Sequence, residues 1–567
     1  MRLDQLCPDR VALRPPETVM RLARMGSLHQ SRLSFMRVLL RRLKSENWRF
    51  ETRAFEIDAR GVGYAVYTTH GPIRSYSLVA FAHDLPPEQR SDRVIATAWD
   101  ATFALFDGLP SDADIDRLSR NVPLQEAGRV TSTELTVSRA NRSVRLFDHV
   151  VECLSRGEQP DPAQVDSVGY LMRTTAVYGS GKLGAADRES ICDRPEFAAP
   201  FQAEMLTVFL IRGFVLDLVE HLASVRGQGK AVKLEPALRR RFGIGNSTGL
   251  GMAPFLLNHP ILLNNWIKAR ETALARVRAL PAISSGEAEA FRVMLRRGRR
   301  NIDDWHSEHP LQCSKIAELK LDLDRLAAHL ATGALEAPSP WDALYRWAET
   351  ALSLEGQELL VALMMEPYGA LVDDLPTRMS ADEHAGFRID GGMTVARLRD
   401  ILENDYAWAL GIDWDNPEAQ ARAWYVSAEK LEPRLGDRYQ EPVAAYEQPL
   451  APARDAALLF EALRDEVAET RVADFLLRRP EHRHILRRVQ IAARHPYAEI
   501  RDNTVGIDVR PIDLLRAKLS FFGACHFDPR SDRWVRINMF RNAPFPHELA
   551  DMEFAGWTYP ALQEEPK

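Results

Sequence analysis

WRFETRAFEI (48–57), YAVYTTH (64–70) and IRSYSLVAF (73–81) follow one another along the chain, separated only by DARGVG and GP. β-Branched and aromatic residues dominate all three runs, and the separators are turn-forming, so a three-stranded antiparallel meander is predicted between 48 and 82. Downstream, RVIATAWDATFALFDG (93–108) is short and apolar, which suits a strand or a buried helix and is read here as a further strand. ELTVSRANRSVRLFDHVVECLSRG (134–157) reads as a strand passing into a helix. Upstream, residues 17–45 place apolar positions at helical spacing with arginines between them, predicting one amphipathic helix. Its basic face is read as solvated, the alternative being a membrane or partner surface.

From about 165 onward the period changes to that of helices, predicted at 200–225, 260–280, 286–304, 311–333, 340–366, 394–411, 416–430 and 452–490. LSFFGACHF and RWVRINMF flank DPRSD, so a β-hairpin is expected at 519–540. The fold class is therefore α+β and predominantly α-helical. EQPDPAQ (158–164) and LEAPSPW (335–341) divide the chain into an α+β domain at 1–160, a helical domain at 161–338 and a helical domain ending in the hairpin at 339–567. No internal repeat is evident.

A chain of 567 residues with 46% hydrophobic and 27% charged residues has the composition of an ordinary globular protein of several domains. The net charge of -6 argues against a surface built for nucleic acid, and RRR (239–241) and RRGRR (296–300) lack the interleaved aromatics of a strand-binding groove. Five scattered cysteines without a C-x-x-C pair make disulfides and thiolate zinc unexpected, which fits a reducing, cytoplasmic compartment. The most apolar run, 205–219, is interrupted by Arg212 and Asp217, so no membrane span is expected.

Two glycine-rich stretches carry the functional reading. In YGSGKLGAADR (178–188), Gly179, Gly181 and Gly184 surround Ser180 and Lys182, with Arg188 and Arg194 following. Glycine lets backbone N–H groups close on an anion, so a phosphate cradle is one reading and a structural turn the other. A nucleotide-binding P-loop would need glycine where Ala176 stands and Ser or Thr where Leu183 stands; no apolar helix follows directly, as a dinucleotide turn requires, and nothing in the sequence supplies a kinase-type hairpin. In FGIGNSTGLGMAPF (242–255), Gly243, Gly245, Gly249 and Gly251 surround Asn246, Ser247 and Thr248, preceded by Arg239–Arg241. Together the stretches suit a phosphate- or carboxylate-bearing ligand.

Between them, FQAEMLTVFLIRGFVLDLVEHLA places Thr207, Asp217, Glu220, His221 and Ser224 on one polar stripe and leaves Glu204 and Arg212 on the apolar side. Glu204 is thus a candidate general base, or half of a structural ion pair with a neighbouring helix. Gly245-Asn246-Ser247, Met252, Pro254, Asn258 and Pro260 resemble, out of register and without its lysine, the loop G-S-S-x-M-P-x-K-x-N-P of fumarase/aspartase-type lyases. No redox signature is present, so proton-transfer or elimination chemistry is expected.

The expected protein is an enzyme of small-molecule metabolism, lyase-like or a transferase and a candidate homo-oligomer through its helical surfaces, whose cofactor the sequence does not name. Lys182, Ser247 and Glu204 would be catalytic; Gly179, Ser180, Gly181, Gly184, Arg188, Asn246, Thr248, Gly249 and Gly251 would bind the anion. No metal is assigned, although His306 and His309 in DDWHSEH are a chemically possible pair. The alternative is a non-catalytic helical scaffold that uses the basic 17–45 helix to hold a partner.

Overall fold

The computed structural model describes residues 12–86, 98–123, 131–179, 182–183, 191, 193–247, 259–303, 305, 310–379, 390–415, 451–501, 511–523, 526–528 and 536–550. The chain is α+β and mostly helical, and it forms two compact units, each assembled from three stretches: Met1–His29, Gly249–Phe291 and Glu308–Lys518 in one, Gln30–Thr248, Arg292–Ser307 and Leu519–Lys567 in the other.

The second unit holds the sheet. Its strands are β1 (Arg49–Ile57), β2 (Gly63–His70), β3 (Ser75–Ala82), β4 (Ala101–Asp107), β5 (Glu134–Arg142), β6 (Tyr170–Gly179), β7 (Lys182–Leu183), β8 (Gly243–Ser247), β9 (His526–Asp528) and β10 (Arg536–Met539). They run in the order β1-β2-β3-β4-β5-β6-β8-β10-β9, with β7 beside β6. The predicted meander is β1 to β3, and the ambiguous 93–108 run forms β4. All neighbours are antiparallel except β6 and β8, which run parallel.

That parallel pair requires a crossover, supplied by the helix Gln202–Gly227. This helix is apolar nearly all round, as a helix must be when several elements surround it. Phe209 meets Phe50 of β1, and Phe214 meets both Tyr67 of β2 and Phe103 of β4. The other sheet face carries Val66, Val79, Phe81, Ala104, Phe106 and Val137, closed by Leu118 and Val122 from the helix Asp112–Asn121 and its C-terminal end. With both faces covered, β2, β3 and β4 are buried almost throughout, which is why they read as continuous apolar runs.

The first unit is helical among its described residues. Trp341 lies edge-on to Phe291 and donates its indole N–H to Tyr368 at 2.6 Å. A second cluster joins Val395, Leu398, Leu402, Tyr406, Leu459, Val472, Phe475, Leu486 and Val489. Two helix starts within it exchange backbone bonds reciprocally, Val395 N–H to Thr470 and Val472 N–H to Met393, both at 2.8 Å.

Several helical expectations change. Residues 17–45 form no single solvated helix but the short turns Pro16–Val19 and Leu22–Arg24 and the helix Phe35–Ser45. Met20, Met25, Leu28 and Arg37 are buried, because the segment is part of both cores rather than a surface ribbon. The 340–366 run breaks at Ser353, whose hydroxyl caps the second helix through the Gly356 N–H. The 452–490 run divides into Ala451–Leu463, Val472–Arg478 and Arg483–Arg494. At the C-terminus, 519–522 ends the helix Pro511–Phe522, so only β9 and β10 form the hairpin, and β10 extends the main sheet through β8. The 416–430 segment lies outside the described residues.

Candidate functional site

The register of β6 places the described parts of both glycine-rich stretches along one strand. β8 runs beside β6 as far as Thr174↔Asn246. β7 folds back along β6 with Gly179↔Lys182 and Tyr178↔Leu183, so Gly179 and Lys182 close a two-residue β-hairpin, contrary to the expectation that no hairpin is present here. Tyr178 also pairs with Val137 of β5, and Thr174 with Ala140, which puts β5 on one side of β6 and both β7 and β8 on the other.

β8 therefore advances along β6 while β7 returns toward it, head to head. Four residues of β6 separate the level of Asn246 from that of Leu183, about 13 Å of strand. Gly179, Lys182, Asn246 and Ser247 all have their backbones at this end of the two parallel strands, the end at which open sheets with crossovers bind ligands. Ser180, Gly181, Gly184, Arg188, Thr248, Gly249 and Gly251 lie outside the described residues.

The crossover helix brings Glu204 toward the same end. Thr207 and Thr136 share a hydroxyl hydrogen bond of 2.7 Å, and Thr136 precedes the residue that pairs with Tyr178. Further along, Arg212 donates to the carbonyl of Phe242, beside Gly243, which pairs with Tyr170 at the start of β6. The helix thus runs antiparallel to β6, with its first turn at the level of the β6–β7 hairpin. Glu204 lies in that turn and is buried.

Other sequence expectations resolve into structure. The Arg212 guanidinium donates to the carbonyls of Phe242 (2.7 Å), Ala543 (2.8 Å) and Arg240 (3.1 Å) and lies 3.9 Å from the Phe545 ring. The arginines before the second stretch are committed elsewhere, Arg239 to Asp217 and Glu220, Arg240 to Glu548, and Arg241 to Asp166. Arg194 pairs with Asp107 and reaches Tyr76. None of these four is a spare cation for an anion, which leaves Lys182 and Arg188 from the original set.

The polar stripe is likewise spent internally. Asp217 accepts from Tyr67, Glu220 accepts from the Leu234 N–H, and His221 contacts the Asp58 carbonyl. Burial, reinforced by Asp217, pushes the Tyr67 phenol well above its ordinary range.

Two glycines of the second stretch have packing roles. Gly243 and Gly245 are strand residues: a Cβ on Gly243 would come within 2.5 Å of the Met539 carbonyl oxygen, and one on Gly245 within 2.6 Å of the Tyr170 ring. The expectation that they form part of an anion-cradling loop is corrected accordingly, since they are flat ladder positions where a neighbour approaches closely. His306 and His309 fall outside the described residues; Asp303 pairs with Arg299, and no group of three metal-ligating side chains occurs among the described residues. No helix among them is long and apolar enough to cross a membrane.

Sequence reasoning missed a buried charge cluster in the helical unit. Arg14 donates to both carboxylate oxygens of Glu271 at 2.8 Å and to Glu358 at 2.7 and 3.3 Å. Arg24 adds a 3.0 Å bond to Glu358, and Arg270 one of 2.9 Å to Glu271. Burial alone would raise the Glu358 carboxyl, but Arg14 and Arg270 outweigh it and hold the group down to about 2. Its members are 257 and 344 positions apart, so no local pattern announces them. Every group in it is bonded, which makes it a structural device.

No protein family, no curated protein and no solved structure matches the chain.

Proposed function

We propose that the chain is a cytoplasmic enzyme of small-molecule metabolism that binds a phosphate- or carboxylate-bearing ligand at the end of β6, between the outgoing ends of β7 and β8. The observation that carries this reading is the head-to-head approach of the two strands along one side of β6, which places the described parts of both glycine-rich stretches along one strand. Lys182 neutralises the anion; Gly179, Ser180, Gly181, Gly184, Arg188, Asn246, Ser247 and Thr248 hold it through hydroxyl, amide, guanidinium and backbone N–H donors. Glu204, buried in the first turn of the crossover helix, takes the proton in a transfer or elimination step.

The test is a thermal-shift series with inorganic phosphate and a panel of phosphorylated and carboxylated metabolites on the full chain. A ligand at 100 times its dissociation constant stabilises the folded state by about 2.7 kcal/mol, readable as a rise in Tm. Lys182→Ala should abolish that rise, whereas Glu204→Gln should keep it and lose turnover. A hit indifferent to Lys182→Ala removes Lys182 from the site, and the absence of any hit rejects the reading.

A further inference from the structure

A cleft of about 630 Å³ opens between the sheet and the helix Asp112–Asn121, and it shares no residue with the segments that form the proposed anion site. Its floor is Tyr64 of β2 and Phe81 of β3, which pair directly in the ladder. Its roof is one helical face, Asp112, Ile115, Asp116 and Ser119, at the i, i+3, i+4, i+7 spacing that aligns side chains on one side of a helix. Leu118 and Val122 are sunk into the core beneath, which also contains Phe81 and has Tyr64 and Ile115 packed against it. A capping box between Ser111 and Asp114 fixes where the helix begins.

The volume lies in the range of small-molecule pockets, which are mostly apolar with a few oriented polar groups. Those groups are of one sign. Asp112 and Asp116 put two carboxylates on the roof, and among the described residues no lysine or arginine lines the cleft. Asp116 has an ion-pair partner in Arg120, an exposed side chain outside the lining, while among the described residues no hydrogen bond or ion pair engages the Asp112 carboxylate. His83, at one end, anchors Nε2 on the Thr102 hydroxyl at 3.0 Å. Burial lowers its pKa below the ordinary histidine value, although Asp100 opposes the shift, so the ring adds no positive charge near neutral pH.

We infer that this cleft binds a small organic cation with an apolar or aromatic body, the body lying on Tyr64 and Phe81 and the ammonium facing Asp112 and Asp116. Aromatic faces and carboxylates recognise the same kind of ligand, since a ring attracts a cation as well as an apolar surface. An anionic ligand of the same shape would meet two like charges.

Isothermal titration calorimetry on the full chain tests this with 2-phenylethylamine, against 2-phenylethanol and 3-phenylpropionate as neutral and anionic comparators. Saturable binding of the amine is expected, with the alcohol weaker by about fivefold or more and no binding of the acid, an exposed carboxylate being worth up to about 1 kcal/mol, or about fivefold in affinity. The double substitution Asp112→Asn, Asp116→Asn should bring the amine to the level of the alcohol. Ser119→Trp, at an exposed position on the roof, should fill the cleft and abolish binding while leaving the circular dichroism spectrum unchanged. No binding of the amine, equal binding of amine and alcohol, or binding that survives Ser119→Trp would overturn the proposal.

Discussion

Two sets of inward-facing guanidinium groups, one in each unit, are satisfied in different ways. In the sheet unit, Arg212 ends on three backbone carbonyls, and Arg37 likewise donates to the carbonyl of Gln30. In the helical unit, Arg14, Arg24 and Arg270 end on the carboxylates of Glu271 and Glu358. Carbonyl groups become available to side chains at chain ends and irregular segments, such as the exit of the helix Pro236–Arg241 and the turn after β10. Helix interiors offer few, because their carbonyls are already bonded; in the helical unit Arg270 and Arg516 also reach the carbonyls of Arg24 and Ala23 in a short turn, and both pair with acids as well. The first arrangement does not titrate at ordinary pH; the second does.

The largest expected effect follows from that contrast. Glu358→Ala would leave two buried guanidinium groups and the part-buried Arg24 facing one carboxylate, and removal of one partner from a buried pair costs about 3–5 kcal/mol. Chemical denaturation of the full chain should show that loss, with hydrogen exchange locating it in the helices of Gly249–Phe291 and Glu308–Lys518. The pH dependence has a definite sign. Glu358 is held down to about 2 in the folded chain against an ordinary value of 4.5, so its contribution is complete above about pH 5 and is lost as pH falls from there toward 2. Glu358→Gln should flatten the acid limb of the stability curve. An unchanged acid limb would show that the cluster does not set the acid sensitivity of this unit.

A smaller effect is expected from Arg212→Met in the sheet unit. Three carbonyls lose a charged donor, but that of Arg240 keeps the Asn542 N–H at 2.8 Å, so with about 1 kcal/mol or more for each of the other two a loss of about 2 kcal/mol is predicted. No carboxylate takes part in these bonds, so the loss should be the same at pH 4 and pH 7. A loss that varied across that range would mean that Arg212 is also coupled to an acid, and the contrast between the units would weaken.

The same contrast explains what could be read in advance. β1 to β4 and the crossover helix are visible in the sequence because their signal is local, an alternation or a run of apolar residues within ten to twenty positions. The buried character of Glu204 and Arg212 is visible too, since the period of one helix reveals which positions face inward. What they touch is not visible, because Arg212 meets Ala543 and Arg14 meets Glu358 across more than 300 positions. The discontinuous units are hidden for a similar reason: EQPDPAQ and LEAPSPW mark local changes of composition, while β10 joins β8 from the far end of the chain. In the candidate site, the glycine spacing pointed to YGSGKL and GIGNS, but only the register of β6 showed that their described parts lie along the same strand. Spacing also could not separate a cradling glycine from a ladder glycine.

That last distinction yields the smallest of the predicted effects and a sharper reading of the second stretch. Gly245 pairs with Arg173 of β6 and Asn538 of β10, inside the sheet, and its Cα lies under the Tyr170 ring. Its backbone needs no left-handed conformation, so the only cost of Gly245→Ala is the methyl group meeting the ring at 2.6 Å. Overpacking of this kind costs about 1–3 kcal/mol, offset in part because alanine restricts the unfolded chain more than glycine does. A net loss of about 1–2 kcal/mol is therefore expected. Tyr170→Leu should recover part of it in the double variant, as contacting residues are non-additive. Ligand affinity at the anion site should be unchanged in the folded fraction, because Gly245 is a ladder residue and not a donor to the anion. If Gly245→Ala instead left stability intact and reduced binding of the thermal-shift hit, the second stretch would be a cradle from its first glycine onward, and the head-to-head gap would extend further along β6 than Asn246.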